Sequence, residues 1–289
     1  MRVQIIKPYG FCVGVDEAIK LALNTKKNNP TKRVVVLGML VHNNDALKML
    51  NEGGVETLYI KEKSLEELAY LAPKEAIIIL SAHGHSQKIE DILNKRGISY
   101  IDATCPFVKK AQREIKEIVA KNKQIIYIGK KNHPEANAQL SISNNVFLYE
   151  DRRTFDFDQI EDESPFVIAQ TTLLADDVEK EFEYIKSYIP NAKFIKGVCN
   201  ASQARQDAIN ALNDDIDALI IVGGKNSNNS KSLYIAALSK YKNKKVFFIE
   251  NEDELNKKDL LGLSNIAVAS GTSTPDFVVK RIAKYLTSI

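Results

Sequence analysis

The 289 residues contain no Cys-x-x-Cys pair, which argues against a zinc ribbon or a bacterial ferredoxin-type site. Apolar runs such as 76–80 and 218–222 are far too short to cross a bilayer, which takes about 20 residues. Residues 1–12 lack the apolar core and small-residue cleavage site of a secretory signal, so a cytoplasmic location is expected. There is no concentrated basic stripe, and a formal charge of +3 is too small for a nucleic-acid footprint, so no nucleic-acid or membrane partner is expected. The 44% hydrophobic and 27% charged residues are those of an ordinary globular protein with cores to bury.

Cysteine is scarce as well, with only three: Cys12, Cys105 and Cys199. An odd number of widely spaced cysteines in a reducing compartment is not a disulfide framework, which turns attention to metal or catalytic use. Their spacing is nearly even, each interval close to a third of the chain. Segments 3–23, 98–119 and 192–212 each read as an apolar run, a short break, one cysteine and a helix. Gly10, Gly14, Pro106 and Gly197 flank the breaks. A single free cysteine is most often a small buried hydrophobe. Three in one register favour joint ligation, and three thiolates are one short of the set that fills a 4Fe–4S cluster. Zinc with a water is the competing metal.

The repeat extends beyond the cysteines. Short apolar runs alternate with helical periodicity over 16–27, 107–121, 176–188, 202–212 and 275–286. That alternation predicts an α/β fold of parallel sheets with crossover helices. After each cysteine helix a strand ends in a polar turn: His42 with Asn43, His133-Pro134-Glu135, then 225–230. A later strand ends in a second one: Ser81-Ala82-His83-Gly84, Gln170-Thr171-Thr172, then 270–273. Ligands of parallel sheets bind at the carboxyl ends of strands, where all these turns fall. Three similar domains are expected, 14–104, 105–198, and 199–289 with 1–13, arranged pseudo-threefold about a shared cavity. The strand before Cys12 should then join the third sheet.

Imidazoles and neutral donors at such turns suit an anion, and helix N-termini add backbone N–H groups. His42, His83, Ser227, Asn228, Asn229 and Ser273 are the candidates, although Ser and Asn also cap helices routinely. Glu135 is the carboxylate within these turns, so it is the natural proton carrier, relayed through Thr171 or Thr172.

These residues resemble the 4-hydroxy-3-methylbut-2-enyl diphosphate reductase family. The matching stretches are Gly10-Phe11-Cys12-Val13-Gly14-Val15, Ser81-Ala82-His83-Gly84, Asp102-Ala103-Thr104-Cys105-Pro106, His133-Pro134-Glu135, Gln170-Thr171-Thr172-Leu173, Gly224-Lys225-Asn226-Ser227 and 271–275. The resemblance implies a trefoil-like α/β fold around one 4Fe–4S cluster held by Cys12, Cys105 and Cys199. It implies reductive dehydroxylation to isopentenyl and dimethylallyl diphosphates, with electrons from a ferredoxin or flavodoxin. His42, His83, Ser227, Asn229 and Ser273 would bind diphosphate, His133 would lie beside the substrate, and Glu135 with Thr171 would supply protons. Asn228 stands where the family usually has Ser, so that contact is expected to be altered or carried by the amide. Asn132 and Ala136 replace a more typical Gly and Val, and His85 replaces an apolar residue. The alternative reading is a non-redox iron–sulfur dehydratase or condensing enzyme of quinolinate synthase type.

Overall fold

A computed structural model describes residues 1–289. The chain divides into two units: Met1–Asp16, Val41–Glu52 and Asn200–Ile289 form the first, Glu17–Leu40 and Gly53–Cys199 the second.

The second unit holds two sheets. β2 (Val34–Leu37), β3 (Val55–Leu58), β4 (Ile77–Leu80) and β5 (Tyr100–Asp102) pair in the order β3-β2-β4-β5. β6 (Ile125–Ile128), β7 (Val146–Tyr149), β8 (Phe166–Ala169) and β9 (Lys193–Ile195) pair as β7-β6-β8-β9. In the first unit β10 (Ala218–Val222), β11 (Lys245–Ile249), β12 (Asn265–Ser270) and β1 (Arg2–Ile5) pair as β1-β12-β10-β11. Every pairing is parallel. As expected, the strand before Cys12 closes the third sheet, with Ile5 opposite Val268.

Central strands such as Val-Val-Val-Leu in β2 and Ala-Leu-Ile-Ile-Val in β10 are buried at every position. Continuous β-branched runs of this kind fit a sheet covered on both faces. The covering helices are α1 (Val13–Asn28), α2 (Asn44–Glu52), α3 (Leu65–Leu71), α4 (Gln87–Lys95), α5 (Pro106–Val119), α6 (Pro134–Leu140), α7 (Ala175–Tyr188), α8 (Asn200–Asn210), α9 (Asn228–Lys240), α10 (Lys257–Leu260) and α11 (Asp276–Thr287). Start signals are local: Ser64 and Glu67 form a capping box on α3, and Pro106 and Pro134 open α5 and α6. Although α2 lies between β2 and β3 in sequence, it belongs to the first unit, where Asn44 Nδ2 donates to Glu250 at 2.6 Å.

One strand order recurs three times, and it sets the place of the site. In each sheet the chain steps outward from its first strand, then crosses back beside it to its third. The carboxyl ends of the first and third strands flank that reversal, where open α/β sheets bind ligands. The amide of the glycine after each first strand donates to the end of its neighbour: Gly38 to Leu58, Gly129 to Tyr149 and Gly223 to Ile249, at 2.9, 3.0 and 2.9 Å.

Candidate active site

Each cysteine follows the fourth strand of a sheet and is fixed by one backbone bond of the same kind. The Cys12 amide donates to Thr272 O, that of Cys105 to Ala82 O and that of Cys199 to Thr171 O, each at 3.0 Å. Each acceptor lies two residues beyond the end of the third strand, after Ser270, Leu80 and Ala169 respectively. The carbonyls of Cys12 and Cys105 then accept the first helical bonds, from Asp16 and Lys109 at 2.9 Å. None of the three thiols is in a disulfide.

In the second unit the predicted residues form a connected set. The rings of His83 and His133 meet edge to face, with centroids 5.6 Å apart. His133 caps α6, and its Nδ1 accepts from the Glu135 amide at 3.2 Å, which puts the N–H of the neutral ring on Nε2. Asn132, just before it, has φ +63°, a left-handed conformation that Asn tolerates best after Gly, so the replacement of Gly keeps the turn.

Glu135 is only 2% exposed. Its Oε1 accepts from the Thr171 amide at 2.9 Å and from Tyr127 Oη at 3.4 Å, while Oε2 lies 2.8 Å from Thr171 Oγ1. Burial drives its pKa up to about 7, against the opposing pull of the Thr171 and Tyr127 hydrogen bonds. A carboxyl poised there holds or releases a proton near neutral pH. Thr172 stands outside this pair, as the acceptor for Gln170 Nε2 at 3.1 Å, while Gln170 Oε1 accepts from the Lys130 amide at 3.0 Å.

In the first unit Ser227 caps α9, its Oγ accepting from Ser230, and Ser273 Oγ donates to Ser227 Oγ at 3.4 Å. Ser227 sits as many residues past Gly223 as His42 sits past Gly38 and His133 past Gly129, so it is their counterpart in the repeat. Both ends of the Asn229 amide are engaged: Nδ2 donates to Ser202 Oγ at 3.0 Å and Oδ1 accepts from the Thr272 amide at 2.8 Å. Asn229 therefore braces the residue whose carbonyl holds Cys12. Asn228 Nδ2 is a buried donor without a protein partner. Burial first, then the Lys231 charge, push the His42 pKa down, which favours the neutral ring. A Cβ on Gly224 would stand 2.1 Å from the His42 carbonyl oxygen, so only glycine allows that approach.

Two residues of this frame have no part in the sequence reading. Tyr127 supports the Glu135 side, and Arg205, 4% exposed, donates to Gly10 O at 2.7 Å and Ser270 O at 3.2 Å, bracing the loop into Cys12. Their signals were a phenol inside the aliphatic run of β6 and a cation on the buried face of α8. His85 is held by Glu90 at 2.9 Å and lines a cavity of about 660 Å³ with Asp102, Lys109 and Arg113. None of the predicted site residues lines that cavity.

Fold and site together define a triplicated parallel α/β protein that presents three cysteine thiols and a buried carboxyl able to carry a proton. The chain belongs to the LytB protein family, whose model matches residues 3–287. It is 33% identical over 296 residues, covering all of this chain and 98% of the relative, to the 4-hydroxy-3-methylbut-2-enyl diphosphate reductase of Caldanaerobacter subterraneus subsp. tengcongensis. The solved E-1-hydroxy-2-methyl-but-2-enyl-4-diphosphate reductase of Plasmodium falciparum superposes with a TM-score of 0.87 at 28% identity, over 99% of this chain and 88% of that one. A solved (E)-4-hydroxy-3-methyl-but-2-enyl diphosphate reductase, described as the terminal enzyme of the non-mevalonate pathway, gives 0.69 at 27% identity over the full length of both. No helix is long and apolar enough to cross a membrane.

Proposed function

We propose that this chain is an iron–sulfur reductase that converts 4-hydroxy-3-methylbut-2-enyl diphosphate to isopentenyl and dimethylallyl diphosphates, the last step of non-mevalonate isoprenoid synthesis. The allylic C–O bond is cleaved with two electrons and two protons, and the hydroxyl leaves as water. Cys12, Cys105 and Cys199 are its cluster ligands, and the donor set fits: three thiols outside any disulfide, each with its backbone pinned alike. Held by these three cysteines, one 4Fe–4S cluster would supply the electrons and a Lewis acid for the hydroxyl. The three domains are 14–104, 105–198, and 199–289 with 1–13, one sheet to each.

The chain's own groups do the rest. His42, His83, Ser227, Asn228, Asn229 and Ser273 hold the diphosphate, with the unpartnered Asn228 Nδ2 supporting an amide contact where the family has Ser. His133 lies beside the substrate. Glu135 carries the proton on Oε2 and passes it through Thr171 Oγ1, which is 2.8 Å away. Fixing the substrate by its diphosphate makes the proton transfer effectively intramolecular. The electron donor is a ferredoxin or flavodoxin, and the location is cytoplasmic.

The observation that carries this reading is the identical pinning of all three cysteine amides. Anaerobic turnover of the hydroxylated diphosphate with a chemical reductant tests it, with both isoprene diphosphates expected as products. Protein that binds neither iron nor sulfide after anaerobic reconstitution would remove the redox assignment. Glu135→Gln should bind substrate and iron normally but lose most turnover; full activity would remove Glu135 from the mechanism.

A further inference from the structure

We propose that Tyr127 is a positioning residue for Glu135: its hydroxyl and the Thr171 amide both donate to Oε1, fixing the acid proton on Oε2 against Thr171 Oγ1. The inference rests on Glu135 being the proton carrier and adds a residue to which that reading gives no role.

β6 reads Ile-Ile-Tyr-Ile and is buried at all four positions. Tyr127 is 0% exposed and packs among Ile115, Ile118, Ala136, Val146 and Ile168. For packing alone, Phe would serve as well, and a buried hydroxyl costs free energy unless it is partnered. The hydroxyl has its partner in Glu135 Oε1 at 3.4 Å. Gly129 leaves space for the ring, since a Cβ there would stand 2.7 Å from Tyr127 Cε1.

The donor roles at Oε1 follow without choice. A backbone N–H can only donate. Burial and the neighbouring carboxyl push the Tyr127 pKa well above that of an ordinary phenol, so the hydroxyl keeps its proton. Oε1 therefore receives two donors and has no room for a proton of its own. The acid proton goes to Oε2, and Thr171 Oγ1, which donates to Oε2 of the ionised carboxylate, turns to accept from it once that oxygen is protonated. Other groups facing Glu135 leave this balance alone. The Glu135 amide donates to His133 Nδ1, the His83 ring lies against that of His133, and neither imidazole is among the causes of the Glu135 shift. α5 and β7, packed against α6, present Ile115, Ile118 and Val146, and Gln139 on α6 itself is a neutral amide.

Tyr127→Phe keeps the ring and removes one donor to the ionised form, so Glu135 should hold its proton more tightly. Infrared titration of the anaerobic full chain reads this directly through the protonated carboxyl band that Glu135→Gln abolishes. The ratio of protonated to ionised Glu135 at a fixed pH should rise about three- to tenfold in Tyr127→Phe, the worth of one ordinary hydrogen bond, as suits a contact of 3.4 Å. The alkaline limb of the turnover profile should move up by the same factor, with KM unchanged. A purely structural tyrosine would lower stability and leave both midpoints in place, and that result overturns the proposal. Full turnover by Glu135→Gln would sink the proton-carrier reading separately, while the infrared shift would still report the Tyr127 contact.

Discussion

A carboxyl whose pKa lies near 7 inside the fold makes Glu135 a stability element as well as a proton carrier. Its ordinary value is 4.5 and burial is the dominant cause of the rise. Between those two values the folded state binds more protons than the unfolded one, so stability falls as pH rises. The favourable contribution is complete below about pH 4.5 and is lost as pH passes through 7. The difference corresponds to about 3 kcal/mol. Glu135→Gln removes the charge but keeps the shape. We expect the variant to gain on the parent by up to about 3 kcal/mol at pH 8 and to match it at pH 4.5, as read by urea unfolding at the two pH values. A constant difference between the two would show that Glu135 ionises without cost. Residue identities at the site were legible because His, Cys and Glu are rare at strand-end turns. Tyr127 was not, because an aromatic in a strand reads first as core.

Among elements, two of the helices that were hard to read, α6 and α9, carry chemistry. The helices α1, α5, α7, α8 and α11 show apolar periodicity in sequence and form within a few residues of the expected bounds. Helical periodicity does not pick out α2, α3, α4, α6 and α9. The first three are only 7 to 9 residues long, at most about two and a half turns, so the apolar stripe repeats too few times to mark a helix by itself. α6 buries Glu135 and Gln139, and α9 buries Asn229, Ser230 and Ser232, so their inward faces are polar where a core helix would be apolar. Helix α8 shows the same economy with one residue, because Arg205 joins Ala201 O on its own helix to Gly10 O and Ser270 O. A buried acceptor left without its donor costs about 1–3 kcal/mol. Arg205→Met should therefore lose about 3 kcal/mol of unfolding free energy and bind less iron per chain, because the loop into Cys12 loses its brace. Arg205→Lys, with a donor head still present, should fall between. Iron content unchanged in Arg205→Met would show that the Thr272–Cys12 bond holds the loop by itself.

At the scale of the whole molecule, each sheet takes its fourth strand from the segment that leads into the next cysteine, and β1 supplies it for the last sheet. The alternation of strands and helices made that permutation readable before any coordinates. The division into two units was not readable, because nothing in the sequence marks 41–52 as belonging with residues 200–289. Closure by β1 has a measurable consequence. Arg2 through Ile5 pair with Asn265 through Val268, and the Arg2 and Ile6 amides donate to Ser264 O and Val268 O at 2.7 and 2.8 Å. Val3 and Ile5 pack into the core that also holds Val268, Val278 and Ile282. A chain lacking residues 1–6 would turn β12 from an inner strand into an edge. In a parallel ladder about half of the β12 amides point at each neighbour, so those facing β1 lose their acceptors and those facing β10 keep them. Hydrogen exchange should therefore quicken at alternate β12 amides while the β10 amides at the sheet centre stay slow. Iron binding should fall with it, since Cys12 would be held by the Thr272 bond and the Arg205 and Ser270 contacts of Gly10 on a loosened edge. Wild-type exchange throughout β12 in the shortened chain would mean that β12 is protected without its partner, and β1 would then be a tether for Cys12 rather than a structural strand.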